Sequence, residues 1–232
     1  MNDKAPSETE PSRTIPRREP MRIAVVGATG RTGRLVVDLA LAAGHTVTAV
    51  ARDPARLPEY AHGTPLTARA DVGRPGSLRG PLSDQDAVVA TLGTTGRRTA
   101  TTVFSDGARE LTAALRDGGA RHLVTMSSAG LDTSRLPRAQ RVVARLVVDR
   151  LYREVHHDLA RMEAVLAGSD TAWTVVRVPM LKDGPPSPGP QVSYDRPLPR
   201  AGTATRATVA HWIVDHLGDP TTFRRLVHLA DD

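Results

Sequence analysis

Seven residues near the amino end of the chain, GATGRTG at 27–33, have the composition and spacing of a phosphate cradle. They follow the short apolar run Ile23, Ala24, Val25 and Val26, and they open a stretch in which Leu35, Val36, Leu39 and Ala43 return at helical spacing. A strand, a glycine turn and a helix in that order are the context such a motif requires. There Gly27 permits the tight turn, Gly30 lets backbone approach phosphate oxygens, and Gly33 lets the helix lie close on the sheet. Thr29, Arg31 and Thr32 fall within reach of the same ligand, and the helix N-terminus offers N–H groups and the positive end of its dipole. The expectation is the pyrophosphate of a dinucleotide.

The segment ARDPARL follows a second apolar run. A site for NAD carries an acidic side chain there for the ribose hydroxyls, and that charge repels a 2′-phosphate. Here the position is Arg52. Arg52 and Arg56 lie four apart, and if the turn between them begins a helix, both guanidiniums reach one phosphate through forked hydrogen bonds. Asp53 reads as the N-cap of that helix, with Pro54 as its first residue. The pattern favours NADP(H) over NAD(H). Farther on, Asp71 has two available roles, accepting from the adenine amino group with Val72 closing over the ring, or capping the next turn. Leu92, Gly93 and Thr94, in TLGTT, would let backbone pass close to the adenosine ribose and the phosphates.

These residues need a scaffold that brings them to one edge. The periodicity predicts strands at 46–51, 66–70, 86–92, 122–126, 174–178 and 225–229, and helices at 31–43, 102–116 and 208–217, with one long or two shorter helices over 136–166. Such alternation specifies an α/β fold of the Rossmann type, a doubly wound, mainly parallel sheet with helices on both faces and its ligand at the carboxyl ends of the strands. Residues 181–191, LKDGPPSPGPQ, hold four prolines and two glycines. They read as a mobile loop, either a substrate flap or a surface linker. Residues 1–20, polar and rich in proline and charge, read as a disordered leader, and 21–232 as one domain whose carboxyl part forms a substrate pocket.

Composition removes several other functions. Cysteine is absent and the eight histidines show no metal-binding spacing, so no metal is expected. The net charge of +6 is spread along the chain as arginines, and aromatics are only 3% of residues, which argues against a nucleic-acid partner. No apolar run reaches membrane length and no signal peptide begins the chain, so a cytoplasmic protein is expected. No heptad seam or exposed apolar stripe sets an oligomeric state.

Taken together and in order, GATGRTG, ARDPARLP, DAVVATLGT, TTVFSDGARELTAAL and the RMEAVL that precedes WTVV resemble the atypical short-chain dehydrogenase/reductase superfamily, and within it the biliverdin-IXβ and NADPH-dependent flavin reductases. The resemblance implies NADPH, with Arg52 at the 2′-phosphate, and hydride transfer to flavins or linear tetrapyrroles. It maps the active-site serine onto Ser128 of TMSSAG, with Ser127 beside it on the cofactor side. A hydroxyl at 128 faces the nicotinamide end and orients the carboxamide or an acceptor; forming the turn is its other available role. Tyr152 and His156 have the spacing of the superfamily's tyrosine and lysine, with histidine in place of lysine. Aligned on RMEAVL and WTVV, the same positions fall on Val155 and Leu159, which leaves no acid or base. The resemblance also puts Glu163 where the family has a pocket histidine, and Gly130 where it has an aromatic residue.

A missing tyrosine acid matters for an alkoxide product and little for a flavin, whose charge is delocalised. The expected partner is therefore a small hydride acceptor: a flavin, quinone, tetrapyrrole or related aromatic ketone. The competing expectations are a sensor of NADP resembling the NmrA-like regulators, and a tailoring enzyme for one natural product.

Overall fold

Two segments that the sequence marks as unbroken apolar runs, IAVV and AVVA, lie side by side at the centre of the sheet and are buried on both faces. The structure, a computed structural model, describes residues 19–94, 100–134, 138–199 and 202–232, with backbone alone at 117 and 138–151. The leader expected over 1–20 lies, up to residue 18, outside the described residues. From β1 (Arg22–Val26) the chain runs through α1 (Arg31–Ala42), β2 (Thr46–Ala51), β3 (Leu66–Arg69), a single-turn α2 (Arg79–Leu82), β4 (Ala87–Ala90) and α3 (Val103–Gly118). It continues through β5 (His122–Ser128), α4 (Arg138–Ala167), β6 (Trp173–Val178), β7 (Met180–Lys182), β8 (Gln191–Tyr194), β9 (Thr203–Thr205), α5 (Arg206–Asp215) and β10 (Arg225–Ala230).

The main sheet has the order β3-β2-β1-β4-β5-β6-β10-β8, parallel except for β8, which runs antiparallel to β10 at the edge. The first crossovers carry the chain outward to β3, and it then returns to the other side of β1 as β4. The strand order reverses between β1 and β4, and the crevice at their carboxyl ends is where such sheets bind ligands. Val36, Val37 and Ala40 of α1 and Val209, Ala210 and Ile213 of α5 cover one face. Phe104, Ala108 and Leu111 of α3 and Leu159, Met162 and Leu166 of α4 cover the other. Among the described residues no helix is long and apolar enough to cross a membrane.

The Rossmann architecture is the one expected, and the departures are local. The strand expected over 86–92 is assigned only over β4, although at its two ends Asp86 N donates to the Arg22 carbonyl (2.8 Å) and Thr91 N to the Val26 carbonyl (2.9 Å). The strand expected over 122–126 extends to Ser128, paired with Val178. The stretch expected over 136–166 is one helix from Arg138. The proline-rich loop at 181–191 is held rather than free. It begins inside β7, which pairs with β9, and beyond it Ser187 N donates to Thr208 Oγ1 (2.8 Å) and Thr205 Oγ1 to the Pro185 carbonyl (3.1 Å).

Candidate dinucleotide and proton-transfer site

Gly27 turns the chain out of β1 at φ +85°, a left-handed conformation that favours glycine. A Cβ at Gly33 would stand 2.4 Å from the Gly27 carbonyl oxygen and 2.8 Å from Thr91 Oγ1, so α1 can seat on the turn only because position 33 has no side chain. Thr91 Oγ1 in turn donates toward the Val26 and Gly27 carbonyls (both 3.3 Å), joining the ends of β1 and β4. The sequence reading assigns nothing to Thr91; the threonine just before the quoted Leu92 and Gly93 is the clue. At the start of α1, Gly30 supplies no side-chain cap and the first turn has no acidic residue. The first backbone N–H groups of the helix thus point outward without an intrahelical acceptor, as an anion requires. Thr32 is buried in this turn, Thr29 is half-buried, and Arg31 reaches the Asp183 carboxylate, which Arg206 also meets at 2.9 Å.

Arg52 and Arg56 are both exposed just beyond β2. Two details of their setting differ from expectation. The turn is a three-residue 3-10 turn, Pro54–Arg56, and Asp53 stands at its N-cap position without a side-chain hydrogen bond. The two arginines therefore do not share a helical face. Instead the Arg34 guanidinium, from α1, donates to the Arg56 carbonyl (3.2 Å) and ties this turn to the glycine loop's helix. Asp71 takes the capping alternative: its Oδ1 accepts from Gly73 N (3.0 Å), and Ser77 Oγ closes on its carbonyl (2.6 Å). Val72 and Leu92 turn inward against the α3 face, where a Cβ at Gly107 would meet Leu92 at 2.5 Å. Gly93 faces open space and Thr94 is exposed.

Two strands away from the glycine turn, roughly 10 Å across the sheet edge, Ser128 ends β5. Its Oγ lies 3.1 Å from His156 Nε2 and accepts from Gly130 N at 3.1 Å. Tyr152, one helical turn earlier on α4, stacks its ring on His156, with centroids 6.2 Å apart and planes at 23°. Val155 and Leu159 turn into the core instead. The frame that puts them in the tyrosine and lysine positions does not face the serine; the helix residue that meets Ser128 is a histidine.

Ser127, expected on the cofactor side, is engaged by α4: its Oγ donates to Glu163 Oε1 at 2.6 Å. The same carboxylate receives Arg177 Nε (3.0 Å) and Nη2 (2.5 Å), a forked pair in which both side chains are nearly buried. His228, buried on β10, is the register partner of Arg177. Burial, then the charge of Arg177, pushes its pKa down, against the opposing pull of Asp132, Glu163 and Asp195. Arg177 and His228 escape the sequence reading, although a lone polar residue inside WTVVRV and RLVHLA is a visible signal. Among the described residues no group of three or more metal-binding side chains comes together.

A left-handed glycine turn at the strand-order reversal, followed by an uncapped helix N-terminus, defines a dinucleotide-binding Rossmann protein. Residues 27–220 match the NAD(P)H-binding family, and the chain belongs to it. Solved structures agree on the fold. A short-chain dehydrogenase/reductase from Veillonella parvula in complex with NADP is 19% identical, with a TM-score of 0.75 over 91% of this chain and 94% of that one. A putative NAD-dependent epimerase/dehydratase from Bacillus halodurans is 21% identical, with a TM-score of 0.74 over 91% and 94%. The anaerobilin reductase ChuY from Escherichia coli O157:H7 is 18% identical, with a TM-score of 0.70 over 90% and 97%.

Proposed function

We propose that this protein is an NADPH-dependent reductase that delivers hydride to a conjugated acceptor, a flavin, quinone, tetrapyrrole or related aromatic ketone, and protonates it through Ser128 and His156. The observation that carries the reading is the Ser128–His156 contact, at the same sheet edge as the glycine turn. Gly27, Gly30, Gly33 and the first turn of α1 hold the pyrophosphate, and Arg52 and Arg56 take the 2′-phosphate at the end of β2. Bound there, a reduced nicotinamide supplies hydride from its C4.

The chain's own residues handle the proton. A serine hydroxyl has two acceptor positions and one donor. Gly130 N–H fills one acceptor position, and a protonated His156 Nε2 fills the other, which leaves the Ser128 O–H to donate to an acceptor oxygen. As negative charge reaches that oxygen, the Ser128 proton moves onto it and the His156 Nε2 proton moves to Ser128 Oγ. The imidazole recovers its proton from solvent. Tyr152 stacks on the ring and sets its plane. Met180, two residues beyond the register partner of Ser128, is 72% exposed and offers apolar surface for a planar acceptor.

A positioned proton donor suits quinones and aromatic ketones, whose reduced oxygen must be protonated, at least as well as flavins. Steady-state assays with NADPH and a panel of flavins, quinones, aromatic ketones and a linear tetrapyrrole test the reading. Acceptor-dependent oxidation is expected. Tight NADPH binding with no oxidation above the acceptor-free rate overturns it in favour of a sensor.

A further inference from the structure

Two consecutive serines of β5 each meet the same helix. Ser128 reaches His156 and Ser127 reaches Glu163, seven residues on, about 10 Å farther along α4 and on the same stripe. We infer that Glu163 and Arg177 are positioning residues for the Ser128–His156 pair, their forked ion pair fixing the rotation of α4 against β5 and β6 so that the imidazole rests on the serine. The inference builds on the proton-donor role given to that pair above.

Three features support it. Both oxygens of the Glu163 carboxylate are engaged: Oε1 accepts from Ser127 and from Arg177 Nε, and Oε2 from Arg177 Nη2. A forked guanidinium on a carboxylate fixes orientation as well as distance, unlike a lysine point charge. Arg177 is the register partner of both Ser127 on β5 and His228 on β10, so the clamp is anchored in the middle of the sheet and not at a loop. Finally, a nearly buried ion pair contributes little net stability compared with apolar residues of the same volume, whereas removing one partner is costly. At a side-chain tip about 6 Å from the helix axis, a rotation of about 10° moves the tip about 1 Å. A displacement of that size at a reacting group costs as much as about 100-fold in rate.

The experiment uses the full chain with NADPH bound and ¹⁵N-labelled histidine, assigning the His156 ring by its loss in His156→Gln. Ser128→Ala defines the signal of a ring off the serine. Glu163→Gln is expected to move the His156 resonance in the same direction, lower kcat about 10- to 100-fold and leave the KM for NADPH unchanged. A folded Glu163→Gln protein with the wild-type His156 resonance overturns the inference, even if its melting temperature drops. Should Glu163→Gln fail to fold, Arg177→Lys keeps the charge and loses the fork; an intermediate resonance shift is expected, and an unmoved one overturns the inference. The resonance arm needs no acceptor. If it responds while every acceptor fails, the clamp stands and the reductase reading falls.

Discussion

The Ser128 hydroxyl and the His156 imidazole are 3.1 Å apart, and each is also held by a neighbour, Gly130 N–H on the serine and the Tyr152 ring on the histidine. General acid catalysis from a positioned group is worth about 10²- to 10⁴-fold. Ser128→Ala and His156→Phe are therefore each expected to lower kcat for a quinone or ketone by about 100-fold or more, with the KM for NADPH little changed. The double variant should lose little beyond either single one, because the two act as one unit. Tyr152→Phe preserves the stack and should retain most of the activity. Steady-state kinetics on the four proteins checks all of this, and additive losses would dissolve the pair.

Gly130 makes that pair sterically possible. A Cβ there would lie 2.8 Å from His156 Cε1, 3.2 Å from His156 Nε2 and 3.2 Å from Ser128 Oγ. The colliding ring is the end of a side chain that can swing away, so Gly130→Ala should fold. It should lower kcat nearly as far as His156→Phe while leaving the thermal midpoint within a few degrees of wild type. Unchanged kcat would show that the ring is not where catalysis needs it.

For the cofactor, Arg52→Ala should weaken NADPH by about 1 to 3 kcal/mol, the scale of a lost charge-assisted hydrogen bond, and leave NADH nearly unchanged. Arg56→Ala should follow the same pattern with a smaller loss, since the 3-10 turn keeps it off the helical face it would share with Arg52. Titration of dinucleotide binding separates the cases; equal losses for both dinucleotides refute the assignment.

Which parts of this site are readable from the chain follows from how local each one is. The glycine turn is legible because strand, turn and helix are consecutive, and the position of Arg52 just beyond β2 is legible for the same reason. The fold is legible because each apolar run is its own strand, and the short strands β7, β8 and β9 are missed because they are segments of three or four residues with no pattern of their own. Ser127 shows the limit well. Its neighbour Ser128 suggests a shared role, yet the two hydroxyls meet residues seven apart on α4, and only the position of that helix reveals Glu163 as the partner of Ser127. The choice between the two frames on α4, Tyr152 with His156 or Val155 with Leu159, has the same origin: they differ by three residues, about 300° of helix rotation, and only the packing of α4 shows which one meets the serine.

Asp158, on the same helix α4, has a structural task. Its fully buried carboxylate accepts from Phe104 N (2.9 Å) and Ser105 N (3.3 Å), capping the start of α3 from another helix, where Thr102 makes no side-chain cap. Two donors of the first turn depend on it. Asp158→Ala should cost about 2 kcal/mol of stability, between a lost cap and a buried donor left unpaired, read from urea unfolding. Asp158→Asn, which keeps an acceptor oxygen, should cost less; equal costs would assign the effect to charge and not to capping.

His228 gives the protein a defined acid limb. Burial and the Arg177 charge hold its folded pKa below the unfolded value of roughly 6.5. Below that pH the unfolded chain binds a proton that the folded protein resists, so the unfolded state is favoured increasingly as pH falls toward the folded pKa. Stability from this group is complete above roughly pH 6.5 and declines beneath it. Asp132 acts at lower pH, because the Ser134 backbone N–H pulls its pKa below the usual carboxylate value, and its contribution is lost only as the solution passes through that range. Thermal midpoints measured between about pH 7.5 and 5 should therefore fall for the wild type and fall less steeply for His228→Gln. Parallel slopes in the two proteins would place the acid limb elsewhere.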